Sequence, residues 1–169
     1  MPRFRKYRVL TAFLAKGTPF IECFLIQVLS FSPLMPFQSK PVLVLVPIFF
    51  WAMAKTAYID FIPIMLLGFV QDFMDGTVIG LNVFVFLSLY FMVYYQKIFP
   101  IDASFGFSYM AFAAVSFALA VAKYSIVSLF VPLVGVLDGL VNWALLALFF
   151  PPIYMVLRYS NDRMVSRYQ

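Results

Sequence analysis

The sequence predicts an all-α fold: a polytopic integral membrane protein of six transmembrane helices, with its N- and C-termini in the cytoplasm. Three observations lead there. The 169 residues are 64% hydrophobic and 11% charged, against roughly 25% charged in a soluble domain, so the chain lacks the polar surface to cover itself in water. Val42 to Ala54 and Ile79 to Tyr95 are apolar on every face, whereas barrel strands alternate apolar and polar residues over roughly ten positions. With lipid as solvent, each backbone amide and carbonyl must be paired internally, and helices do this within one segment. Basic residues, finally, gather where a single side of a membrane would place them.

A span takes about twenty apolar residues, within a range of roughly 17 to 25, and that length divides the chain. The first span is expected from Pro19 to about Met35, followed by an outer turn around Pro36, Gln38, Ser39 and Lys40. The second runs from Pro41 to about Ala57, where Lys55 snorkels to the surface with Asp60 within reach as its partner. The third covers about Ile59 to Met74. Asp75-Gly76-Thr77 turns the chain into a fourth span, about Val78 to Tyr95, which ends in interfacial aromatics. From Phe105 to Leu157 the chain is almost uninterrupted, about eighty ångströms as one helix, so a break is expected near Ser125 to Pro132. This leaves a fifth span of about Phe105 to Tyr124 and a sixth of about Val131 to Leu157, bent near Pro151-Pro152. The whole chain, residues 1–169, forms one transmembrane domain with short cytoplasmic tails at 1–17 and 158–169.

Charge placement sets the orientation. The net charge is +5. Arg3, Arg5, Lys6, Arg8 and Lys16 precede the first span, and Arg158, Arg163 and Arg167 follow the last. A cytoplasmic start leaves only Lys40 and Lys123 on the outer side, in keeping with the positive-inside rule and with anionic lipid headgroups as the counter-charge. No basic domain exists to carry a nucleic-acid reader. The basic start continues into the first span without a small-residue cleavage site, so that span is expected to be retained. The one cysteine, Cys23, excludes an intramolecular disulfide and reads as an apolar filler. No histidine is present to form an imidazole metal site, and no cofactor is expected.

Ionisable groups inside a membrane are costly, roughly 2.5 to 3.5 kcal/mol at a helix centre, and mark candidate sites. Glu22 is expected to reach back toward headgroups or Lys16. Asp138 is expected to be neutralised by the outer-side Lys123, with a polar lumen or a partner as the alternative. Gly68, Asp72, Gly76 and Gly80 recur every four residues. On a continuous helix they form one stripe for close backbone approach. In a tight turn, Gly76 instead supplies a positive φ and Asp72 caps exposed amides. Asp75 stands beside them. The Asp-Gly pair also occurs in phospholipid-synthesising transferases, but Thr77-Val78-Ile79 follows here in place of their alanine-arginine step. No enzymatic apparatus is recognised.

The segment from Phe50-Trp51-Ala52 through Gly68, Asp72, Gly76 and Gly80-Leu81-Asn82 resembles the bacterial rod-shape-determining MreD family, whose members have a tryptophan-bearing second helix and a glycine-leucine-leucine-x-aspartate third helix leading into a glycine-rich turn. Phe69-Val70-Gln71 replaces the usual leucine-rich filler, and Lys55-Thr56 stands where many members have arginine-proline. The resemblance implies a non-enzymatic, multi-pass subunit of the cell-elongation machinery in the bacterial inner membrane. Its implied partner is an MreC-like single-span protein, and through it MreB filaments and peptidoglycan synthases. It also implies a fold similar to the six-helix substrate-binding subunits of energy-coupling-factor vitamin transporters, which supplies the alternative function, small-molecule uptake. Trp51, Gly68, Asp72, Asp75, Gly76 and Gly80 are the implied motif positions, and Glu22, Lys123 and Asp138 are the intramembrane polar residues.

Overall fold

A computed structural model of the chain describes residues 3–31, 41–54, 60–76, 78–95, 104–130 and 136–166, with side chains for 17–31, 41–54, 60–76, 78–95, 104–128 and 139–163. These residues form six α-helices: α1 Arg3–Ser30, α2 Leu45–Ala54, α3 Phe61–Asp75, α4 Leu81–Tyr95, α5 Phe105–Phe130 and α6 Val136–Ser166. No strand occurs among them.

α2 is the axis of the bundle. Pro41 to Val44 lead into it through tight turns, Leu43 N–H donating to Pro41 O at 2.9 Å and Leu45 N–H to Val42 O at 3.2 Å. Pro47 falls in its first turn, where a missing amide hydrogen costs no helical bond. Leu45 to Met53 are all buried, as befits a helix that is apolar on every side. α1, α4, α5 and α6 surround it, and α3 lies outside, packed on α4 and α1. Aromatic rings fill the space between α2 and the α5–α6 hairpin: Phe49 meets Phe112 edge-on at 5.2 Å, Phe112 stacks on Phe150 at 4.5 Å, and Phe50 meets Tyr154 edge-on at 5.4 Å. Such offset and edge-to-face geometries suit the ring quadrupoles.

The α3–α4 hairpin owes its shape to three glycines. Gly76, φ 63 and ψ 26, closes α3 in the left-handed conformation, and Gly80 has φ 97. Both values suit a residue without a Cβ. The four-residue recurrence is therefore broken by a turn, and the continuous stripe does not form. Gly68 has a different task. A Cβ there would lie 2.5 Å from Val83 Cα and 2.8 Å from Val83 N, so α4 crosses directly over bare α3 backbone.

Among the described residues, two helices are long and apolar enough to cross a membrane, over Phe105–Ser128 and Gly139–Arg163. Gly17–Ser30, Leu45–Ala54 and Leu81–Tyr95 are shorter apolar helices. At 1.5 Å per residue the ten residues of α2 rise about 15 Å, half of a roughly 30 Å hydrocarbon core. Several expected bounds shift. α1 begins well before Pro19, which lies inside it, and its helix ends at Ser30. α5 runs past Tyr124 to Phe130, and α6 past Leu157 to Ser166 through Pro151 and Pro152. α5 thus ends at the far end of the window expected for the break, Ser125 to Pro132, and α6 resumes beyond it at Val136. Lys55, the expected partner of Asp60, lies outside the described residues.

The surface reverses the usual order of a water-soluble domain. Phe73, Met110 and Leu148 are 70% or more exposed, while Gln27, Gln71, Asp72 and Asn82 are no more than 2% exposed. Amides and a carboxylate are thus inside, and large apolar side chains outside.

Candidate functional site

The buried polar residues converge at one end of the bundle, where α1 and α3 finish, α4 begins, and the last turns of α5 pass. Asp72, in the final turn of α3, accepts hydrogen bonds from Gly80 N–H at 2.7 Å and from Asn82 N–H at 2.9 Å. Those amides belong to the start of α4 and have no acceptor within their own helix. A side chain eight and ten residues upstream thus caps α4, and its charge faces the roughly +0.5 of the helix N-terminus. The expected capping role of Asp72 and the expected positive φ of Gly76 both appear.

Asp75 is the second hub. It accepts from Gln71 Nε2 and from Asn82 Nδ2, each at 3.0 Å, and the Lys123 ammonium stands 3.6 Å from its Oδ2. Lys123 also donates to Asn82 Oδ1 at 2.7 Å. Gln27, from α1, donates through Nε2 to Leu67 O at 2.9 Å and to Gln71 Oε1 at 3.2 Å. One chain of contacts therefore joins α1, α3, α4 and α5. Its charges are balanced, with Asp72 set against the α4 amides and Asp75 against Lys123. Lys123 is thus held by Asn82 and Asp75, and its expected pairing with Asp138 falls outside the described side chains. Asp138 lies near the start of α6, and its side chain is outside the described ones.

A second cluster ties α1, α2 and α6. Trp51 Nε1 donates to Glu22 Oε2 at 3.2 Å, and Ser160 Oγ donates to Glu22 Oε1. Glu22 thus turns into the bundle, where an indole and a hydroxyl meet both of its oxygens; the side chain of Lys16, one of the two partners expected for it, lies outside the described ones. Trp51, 1% exposed, is fixed between this carboxylate and the ring of Phe50 at 5.4 Å. Cys23 beside it is buried and free.

A third set lies between α5 and α6. Trp143 Nε1 reaches Ala113 O and Ser116 Oγ, both at 3.2 Å, and Asn142 Nδ2 donates to Tyr124 Oη at 2.6 Å. Next to it Phe117, Ala120, Val121, Tyr124, Gly139, Leu140 and Trp143 line an apolar groove.

Sequence reasoning did not single out Gln27, Gln71, Asn82 and Ser160 as site residues. The available signal was an uncharged polar side chain inside an apolar run, which in lipid seeks a partner helix. Among the described residues, no group of three or more acidic, cysteine or histidine side chains could hold a metal ion. The arrangement can fix helix ends against one another and keep charge out of lipid contact. No family model, curated protein or solved structure matches the chain.

Proposed function

We propose that this chain is a six-span, non-enzymatic scaffold of the bacterial inner membrane, of the MreD type, with both termini cytoplasmic. In this reading it holds an MreC-like single-span protein and, through it, serves MreB filaments and peptidoglycan synthases during lateral wall growth. The observation that carries the reading is the way the carboxylates are used. Asp72, Asp75 and Glu22 each accept from donors on neighbouring helices of the same chain, so their chemistry goes into helix placement. Large apolar side chains face outward on α1, α3, α4, α5 and α6, which suits contact with lipid and with an apolar partner helix. The motif residues Trp51, Gly68, Asp72, Gly76 and Gly80 all sit at helix crossings or turns, in keeping with the MreD resemblance.

Depletion in a rod-shaped host tests the proposal. Cells should become round and wide while uptake of vitamins continues, and the tagged protein should bring down an MreC-like partner from mild detergent. Cells that stay rod-shaped but lose vitamin uptake, with a transporter ATPase module in the pull-down, would overturn it in favour of the uptake reading.

A further inference from the structure

We propose that Lys123 is a latch: the α5–α6 hairpin docks as a unit on the body formed by α1 to α4, and the contact of Lys123 with Asp75 and Asn82 selects the docked arrangement over a detached one. Three observations point there. Ser108, Phe112, Val115, Leu119 and Lys123 are spaced at helical intervals along one stripe of α5, and Phe112 and Lys123 in it touch the body. Ser108, Phe112 and Leu119 in it are buried, and Phe112 packs on Phe49 of α2. Lys123 closes the stripe and is the single charged residue of α5. Among the described residues, both helices of membrane-crossing length belong to this hairpin, and 22% and 28% of their apolar stretches is buried, whereas α2 is enclosed almost throughout. Lipid tails solvate such a hairpin nearly as well as the body does, so apolar packing alone discriminates weakly between docked and detached states, and the discrimination falls to polar contacts: Ser160 with Glu22 at one end and Lys123 at the other. A lysine does discriminate. Detached, its ammonium faces hydrocarbon or has to bend away along α5 to the headgroups; docked, it meets a carboxylate and an amide oxygen.

Paired buried charges have a distinctive mutational signature. Removing one partner strands the other and is costly, whereas removing both is close to neutral for stability. The test uses the full-length protein, with Cys23→Ser, Ile79→Cys and Ser128→Cys as the common background, so that spin labels on two exposed positions, one on the body and one on the hairpin, report docking by their distance. Lys123→Met should lengthen and broaden that distance and lower the unfolding midpoint by roughly 5 to 10 °C. Lys123→Arg should keep the wild-type distance. Lys123→Met with Asp75→Asn should recover most of the midpoint while keeping the broadened distance, since stability returns without the selecting contact. The exchange Lys123→Asp with Asp75→Lys should restore the wild-type distance. A wild-type distance in Lys123→Met or in the double variant would overturn the latch and leave an ordinary buried ion pair.

Discussion

At the scale of single residues, the polar side chains act as fasteners whose value depends on what they would face if released. Asp72 is 1% exposed and holds two amides at the start of α4. Asp72→Ala should therefore cost about 1 to 3 kcal/mol, because two donors lose their acceptor. Asp72→Asn should cost less, since an amide oxygen still accepts one of the bonds. Unfolding midpoints of the purified protein in detergent would rank the three. Glu22 offers a matched case: Glu22→Gln keeps an acceptor for Trp51 or Ser160, and Glu22→Leu keeps none. The leucine variant should be the less stable by about 1 to 2 kcal/mol, and a reversed order would mean that burying the amide costs more than its hydrogen bonds return. Neither role depends on conserved chemistry of the kind a catalytic group needs. Both depend on neighbours that lie far away in the chain.

At the scale of elements, the glycines of the α3–α4 hairpin divide by mechanism. Gly68 is sterically closed, with Val83 backbone 2.5 Å from any added Cβ. Gly76 is conformationally special but open, with φ 63 and nothing within 4 Å. Gly68→Ala should push α4 off α3 and cost about 1 to 3 kcal/mol, as overpacking does. Gly76→Ala should cost about 1 to 2 kcal/mol through backbone strain alone. Gly76→Asn should recover part of that loss, since asparagine tolerates the left-handed region, whereas Gly68→Asn should be worse than Gly68→Ala. Thermal unfolding of the four variants separates the mechanisms. Leucine at Gly76 or Gly80 should likewise strain the turn, because both positions carry positive φ.

At the scale of the molecule, the fold places apolar side chains outward and amides inward, and the proposed topology follows from where the cations lie. Reporter fusions after Gln169 and near Lys97 should be active in the cytoplasm, and fusions near Lys40 or Gly76 should be active outside. Opposite locations for the two termini would require an odd number of spans and would remove the six-span reading. Under the proposed topology, the Asp75–Lys123 cluster lies toward the outer side and the Glu22–Ser160 contact toward the cytoplasm, with the aromatic core of Phe49, Phe112 and Phe150 between them.

The sequence by itself determined that the chain is helical, where the helices lie in order, and that Gly76 and Asp72 form a turn and its cap or else a stripe. These are local properties, readable from runs of hydropathy and from spacings of a few residues. Helix lengths were less legible: hydropathy marks the apolar portion of a helix, and α1 and α6 continue beyond theirs into polar sequence. The tertiary structure decided the partners. Lys123 reaches Asn82 across 41 residues, and Ser160 reaches Glu22 across 138, separations at which no periodicity links the two positions. It also chose the turn over the stripe and assigned Lys123 to Asp75. A charge in an apolar helix announces that it must be met, but which charge or amide meets it depends on how the helices pack.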